Sequence, residues 1–83
     1  MTFVWLDTAR SELRAIDREA AVRILHALTR FADTGEGDVK ALAGYWQGHS
    51  RLRVGDYRVL FRATPEQIVV IRVRHRSEVY RQH

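Results

Sequence analysis

The periodicity of the apolar residues changes once along the chain, near Ser50, and this change limits the folds that the sequence can adopt. Before it, the segment 17–35 carries apolar residues at helical spacing. After it, apolar residues alternate with arginines in segments 50–54, 57–62 and 68–74, and a period of two predicts strands that are buried on one face. We therefore predict an α+β fold in which two N-terminal helices pack on one face of a small twisted antiparallel sheet.

Capping residues predict where the helices begin and end. Residues 3–6 are typical of a short strand, and Asp7 or Thr8 is expected to cap a first helix. Asp17 is the predicted N-cap of a second helix, which ends at Gly35. The apolar stripes of the two helices consist of Ala9, Leu13 and Ile16 and of Ala21, Ile24, Leu25, Leu28, Phe31 and Ala32.

Two turns set which residues are expected to face each other across the strands. A two-residue loop, Gly55-Asp56, places Arg53 opposite Arg58. A three-residue loop at 64–66 would place Arg58 opposite Arg72. Strict alternation along the last strand predicts that Val69, Ile71 and Val73 share one face and that Arg72 and Arg74 share the other.

The length of the chain, 83 residues, predicts a single domain spanning 1–83. Because the chain has no cysteine, it has neither a disulfide framework nor a thiolate zinc site. The apolar run near the N-terminus is only four residues long, which is too short for a signal peptide or a membrane span. We expect a cytoplasmic protein without a membrane partner.

Positive charge is concentrated in the second half of the chain. Residues 49–83 carry eight arginines against three acidic side chains, whereas residues 1–48 carry six basic side chains against seven acidic ones. Like charges that face each other across a ladder destabilise a sheet by up to about 1 kcal/mol per pair. A face with such pairs is expected to bind an anion, and arginine suits phosphate. The alternative is a solvated arginine-rich surface without a ligand.

Two blocks of the sequence carry a resemblance to a known family. The first is Arg51-x-Arg53-x-Gly55-x-Tyr57-Arg58 and the second is His75-Arg76-x-Glu78-Val79-Tyr80. Together they resemble the RelE/ParE superfamily of toxin–antitoxin toxins, specifically its RelE branch. The resemblance implies a RelE-like fold and a small endoribonuclease that cleaves mRNA in the ribosomal A site and so inhibits translation.

The resemblance also implies roles for individual residues. Arg51 and Arg58 match basic active-site positions on the second and third strands, and Arg74 matches an arginine just before the terminal motif. Tyr80 matches the C-terminal tyrosine of the family. His49 stands where some members have another basic residue, often lysine.

The chemistry of these residues is compatible with RNA cleavage that needs no metal or cofactor. The C-terminal part offers only Asp56, Glu66 and Glu78 as carboxylates, whereas metal-assisted cleavage uses clustered ones. The 2′-hydroxyl of RNA can itself attack the adjacent phosphorus, with arginines stabilising the charge. The candidates for proton transfer are His49, His75 and Tyr80, of which His75 is expected to face the helices. The further residues expected to bind RNA are Arg53, Arg62, Arg72, Arg76, Tyr45 and Trp46. For the two aromatic residues, the alternative is a loop anchor that covers the core.

The expected partners follow from the resemblance. They are the ribosome with its mRNA and a small acidic antitoxin that docks through an amphipathic helix, while operator DNA is contacted only indirectly, through the antitoxin. Two alternatives remain open. One is a ParE-like toxin that inhibits DNA gyrase without nuclease activity, and the other is a passive nucleic-acid-binding module.

Overall fold

A computed structural model of the chain describes residues 2–78. Two helices and five strands are the main elements, and a short 3₁₀ turn (Gly44–Trp46) lies between the second and third strands. In chain order, the elements are β1 (Thr2–Trp5), α1 (Asp7–Ala15), α2 (Arg18–Thr34), β2 (Asp38–Ala41), β3 (Ser50–Val54), β4 (Tyr57–Ala63) and β5 (Gln67–His75). None of the helices among the described residues is long and apolar enough to cross a membrane.

The five strands form one sheet in the order β1-β5-β4-β3-β2. Strands β2 to β5 pair antiparallel, as predicted, whereas β1 pairs parallel with β5. The predicted antiparallel sheet is therefore a mixed sheet, with one parallel strand at the β1 edge. Strand β2, at the other edge, is an element that the sequence pattern did not indicate. The α+β fold class, with two helices on one face of the sheet, is confirmed.

The predicted ends of α2 are confirmed. Asp17 is its N-cap and accepts a hydrogen bond from the backbone N–H of Ala20 at 3.1 Å. Gly35 ends the helix in the left-handed conformation with φ 76°, which glycine adopts without steric cost. For α1 neither predicted cap is correct: Leu6 is the N-cap, one residue before Asp7 and two before Thr8, and the helix follows β1 directly.

The hydrophobic core lies between the helices and one face of the sheet. Its fully buried members come from α1, α2 and the strands β3 to β5: Ala9, Ile24, Leu28, Leu52, Val59, Phe61, Ile68, Val70 and Val73. Leu25, predicted to belong to the buried stripe of α2, is instead 42% exposed.

The register of the hairpins decides which side chains share the opposite face. Arg53 lies opposite Arg58, as predicted. Arg58, however, lies opposite Arg74 rather than Arg72, because the loop 64–67 has four residues and a bulge between Leu60 and Phe61 adds one further residue on β5.

The same bulge corrects the predicted faces of β5. Val70 pairs with Phe61 and Arg72 with Leu60, so that Ile71 is the extra residue. Val73 faces the helices as predicted, but Val69 lies opposite Arg62 on the other side of the sheet. The bulge thereby brings Arg72 and Arg74 onto the face away from the helices.

Candidate nucleic-acid interface

Six arginines occupy the face of the sheet that points away from the helices, and we call this surface the arginine face. Two come from each of three neighbouring strands: Arg51 and Arg53 from β3, Arg58 and Arg62 from β4, and Arg72 and Arg74 from β5. Because adjacent strands lie about 4.8 Å apart, the positive charges are concentrated over a small area.

One cross-strand row of the arginine face consists of Arg53, Arg58 and Arg74, with Asp38 at its end. Two like-charged pairs therefore face each other directly in this row, an arrangement that costs stability. The Arg58 guanidinium donates from Nη1 to the carbonyl oxygens of Gly55 and Tyr57, both at 2.9 Å. These bonds hold Arg58 against the β3–β4 turn.

A second row consists of Lys40, Arg51, Leu60 and Arg72. Leu60 is only 1% exposed although it lies on the face opposite the helices. It sits between Arg51 and Arg72, and the apolar stems of such long side chains can cover an apolar neighbour while the charged heads reach water. The arginine face thus has an apolar base beneath its charges.

Carboxylates balance part of this charge. Asp38 lies 3.8 Å from Arg51, and Glu78 lies 3.8 Å from Arg74. Arg53 and Arg62 are exposed, and neither pairs with a carboxylate among residues 2–78. The face therefore keeps a net positive charge, which favours an anionic partner.

Glu12, from α1, is the most highly coordinated of these carboxylates and was not singled out from the sequence. Its Oε2 accepts from Arg72 Nε at 3.0 Å and Nη2 at 2.8 Å, and its Oε1 accepts from the Val73 backbone N–H at 2.8 Å. Arg74 Nε lies 3.7 Å from Oε2. The hydrogen bonds from Arg72 to Glu12 raise the pKa of Arg72, an effect that partial burial opposes and charge attraction reinforces.

The two described histidines near the interface differ in the lone pair that they can offer. The Nδ1 of His75 accepts from the backbone N–H of Ser77 at 3.2 Å, so the neutral ring carries its proton on Nε2. The Nδ1 of His49 faces the carbonyl oxygen of Gln47 at 3.4 Å, which favours a proton on Nδ1 and leaves the Nε2 lone pair open. His75 also packs edge-on against Tyr57 beside the helices, as expected.

Two aromatic side chains lie in the 3₁₀ turn between β2 and β3, the segment that leads into the arginine face. Tyr45 and Trp46 contact each other edge-on at 5.3 Å, and Trp46 contacts His49 in the same way at 5.6 Å. Tyr45 is 71% exposed, whereas Trp46 is half-buried and its Nε1 has no hydrogen-bond partner among the described residues. His49 directly precedes β3 and is two residues from Arg51.

The remaining predicted site residues lie at the edge of the interface or beyond the described range. Arg76 follows β5, and its Nε lies 3.8 Å from Asp56 in the β3–β4 turn. Tyr80 lies outside the described residues. No three histidine or carboxylate side chains lie together as a metal site in residues 2–78.

The fold, two helices on one face of a five-stranded sheet, is shared by solved structures of other proteins. The chain matches the RelB–RelE antitoxin–toxin complex from Methanococcus jannaschii with 23% identity and a TM-score of 0.75, covering 94% of this chain and 95% of the other. It matches the YoeB/ParE toxin from Agrobacterium tumefaciens with 19% identity and a TM-score of 0.77, covering 90% and 98%.

The family is shown by two further matches. Residues 3–80 match the family described as the ParE toxin of type II toxin–antitoxin systems, and the chain belongs to this family. The toxin–antitoxin complex RelBE2 from Mycobacterium tuberculosis matches with 32% identity and a TM-score of 0.62, covering 89% of this chain and 95% of the other. No curated protein sequence matches the chain. The predicted membership of the RelE/ParE superfamily is confirmed.

Proposed function

We propose that this toxin is an endoribonuclease that cleaves mRNA without a metal ion. The observation that carries the proposal is the row of Arg53, Arg58 and Arg74, which accepts two unfavourable like-charged pairs on the face away from the helices. A phosphate placed over the row would convert this repulsion into attraction. Single-stranded RNA offers such phosphates, together with bases for the neighbouring aromatic side chains.

In the proposed reaction, the 2′-hydroxyl of one nucleotide attacks the adjacent phosphorus. The bond from phosphorus to the 2′-oxygen forms and the bond to the 5′-oxygen of the next nucleotide breaks, leaving a 2′,3′-cyclic phosphate and a 5′-hydroxyl. Arg51, Arg58 and Arg74 bind the phosphate and stabilise the charge of the five-coordinate transition state. His49 and Tyr80 are the proposed groups for moving the two protons.

The remaining residues of the interface are proposed to supply affinity. Arg53 and Arg62 are exposed and lack carboxylate partners among the described residues, so they suit contacts with flanking phosphates. Tyr45 and Trp46 are proposed to stack on a base next to the cleaved bond. Arg72 and Arg76 already pair with Glu12 and Asp56, and we assign them a supporting role.

We further propose that an antitoxin covers the arginine face. The structures of related toxins from Methanococcus jannaschii and Mycobacterium tuberculosis are complexes with antitoxins. A small acidic partner with an amphipathic helix would place carboxylates near Arg51, Arg58 and Arg74, and charge complementarity would speed its association. Operator DNA would be contacted only through that partner.

The test is incubation of the purified toxin with translating ribosomes, followed by mapping of the mRNA 5′ ends. We expect new ends that carry a 5′-hydroxyl, matched by upstream fragments with a 2′,3′-cyclic phosphate. On a minimal RNA substrate, a chelator should leave the rate unchanged. Fragments with a 5′-phosphate, or a strict need for a divalent metal, would contradict the proposed chemistry.

A second candidate function is inhibition of DNA gyrase, which the ParE description of the matching family favours. It is distinguished by a supercoiling assay with purified gyrase run beside the ribosome assay. Loss of supercoiling with intact mRNA would select this alternative. RNA binding with neither effect would select a passive binding module.

A further inference from the structure

Strand β5 extends past the end of β1, and this leaves part of its edge without a strand partner. The parallel pairing ends at Trp5 and Val70, after which the chain turns into α1 at Leu6, whose N–H donates to the Val70 carbonyl oxygen at 3.1 Å. The Val73 N–H therefore points to an edge that no strand covers. Glu12 of α1 occupies this edge and accepts that N–H at 2.8 Å.

The same carboxylate also engages both arginines that β5 contributes to the arginine face. It receives two hydrogen bonds from Arg72 at its Oε2 and lies 3.7 Å from Arg74 Nε. All three side chains are largely buried, with exposed fractions of 20% for Glu12, 24% for Arg72 and 15% for Arg74. Ion pairs that are partly buried and hydrogen-bonded keep their side chains in one orientation better than exposed ion pairs do.

An open cavity of about 450 Å³ borders these residues. Its lining includes Glu12, Arg72, Arg74 and Glu78 together with Tyr57 and His75. Arg74 thus lies beside open space large enough for a phosphoryl group, and the Glu12 carboxylate, 3.7 Å from its Nε, borders the same space.

We propose that Glu12 is a positioning residue, which through its bonds to Arg72 and the Val73 N–H holds Arg74 where the proposed phosphate binds. The inference rests on the proposed ribonuclease function. Glu12 does not touch the RNA, so its loss should lower the rate of the chemical step through Arg74 and leave substrate binding nearly unchanged. Without this role, removing a carboxylate from a basic face would simply strengthen RNA binding.

The test compares Glu12→Gln, Arg74→Ala and the double variant in single-substrate kinetics. Glutamine keeps an oxygen for the Val73 N–H but removes the charge facing the two arginines. We expect about a tenfold loss of kcat with KM within about twofold, and no further loss when Glu12→Gln is added to Arg74→Ala. Losses that multiply in the double variant, or an unchanged kcat, would overturn the inference.

Two controls keep the result interpretable. Glu36→Gln breaks an exposed ion pair, with Arg30 at 2.7 Å, that shares no partner with Glu12, Arg72 or Arg74, and it should leave kcat unchanged. Glu12→Asp keeps the charge but withdraws it by one methylene, so it serves if the glutamine variant unfolds, and it should show a smaller loss with the same lack of additivity.

A measurement without RNA separates this inference from the proposed function. In nitrogen–proton NMR spectra, Glu12→Gln should shift the Nε–H signals of Arg72 and Arg74, whereas Glu36→Gln should leave both in place. Absence of cleavage by the wild-type protein would reject the proposed function and leave the NMR result to decide whether Glu12 holds the two arginines. Unchanged Arg72 and Arg74 signals would reject the positioning role itself.

Discussion

Arg58 lies directly opposite Arg74 across the β4–β5 ladder, and Arg53 lies opposite Arg58 on its other side. Arg58 is therefore the central residue of three guanidinium groups in one row. Its Nη1 is held by the carbonyl oxygens of Gly55 and Tyr57. This position makes it the arginine whose removal most directly tests the interface.

Replacing Arg58 with alanine should reduce cleavage by at least about 10², because a well-aimed donor to the transition state is lost. The domain should stay folded, since the substitution also removes repulsion within the row. Cleavage rates and thermal unfolding of the purified variant check both statements. Arg23→Ala, which removes an exposed arginine of α2 paired with Glu19, is the matched control. Near-normal cleavage by a folded Arg58→Ala protein would remove Arg58 from the phosphate site.

Replacing Leu60 with alanine should lower the free energy of unfolding by about 3 kcal/mol, as for a core leucine. Leu60 is 1% exposed although it belongs to the arginine face, so its loss should leave a cavity between Arg51 and Arg72. Leu25→Ala on α2, where the leucine is 42% exposed, should cost less than about 1 kcal/mol. Chemical denaturation of both variants makes the comparison. Equal, small effects would mean that the arginine stems do not enclose Leu60.

Deleting Ile71 should leave the protein folded, whereas deleting Val73 should not. Ile71 is the extra residue of the bulge, so its removal joins Val70 to Arg72 in a regular ladder with the same partners. Removal of Val73 instead turns Arg74 toward the hydrophobic core. Circular dichroism and thermal unfolding distinguish the two outcomes. A folded Val73 deletion, or an unfolded Ile71 deletion, would contradict the assignment of the bulge.

The candidate proton-transfer residues should separate in their effects. Tyr80→Phe removes one hydroxyl and His49→Gln removes an open ring nitrogen, so each should depress cleavage with little change in thermal stability. His75→Gln should act mainly through stability, because its Nδ1 is bonded to the Ser77 N–H and its ring packs on Tyr57. Cleavage and melting temperature are measured on the same preparations. The reverse pattern would exchange the roles.

The helices and the β3–β4 hairpin could be predicted because their signals are local. Asp17 and Gly35 mark the ends of α2 through capping geometry, and the Gly55-Asp56 turn fixes the pairing of Arg53 with Arg58. Strand β2 has no such signal. Val39 is the one half-buried apolar side chain among its four residues. The strand forms because its backbone pairs with the edge of β3, a contact that the local sequence does not reveal.

The register of β5 could not be predicted because residues 68–71 are all apolar. Because such a run shows no alternation of apolar and polar residues, it does not indicate the bulge residue at which the side chains switch faces. Glu12 was missed for a related reason. Its partners Arg72 and Val73 lie about 60 residues further along the chain, and no sequence pattern connects them.

The parallel pairing of β1 with β5 also determines when the fold can be completed during synthesis. Thr2–Trp5 is synthesised well before its partner Gln67–His75, which is an inner strand of the sheet. Contacts this distant in sequence must close a long loop before they gain any stability, which slows folding. A nascent chain therefore cannot complete the arginine face until β5, which supplies Arg72 and Arg74, has left the ribosome.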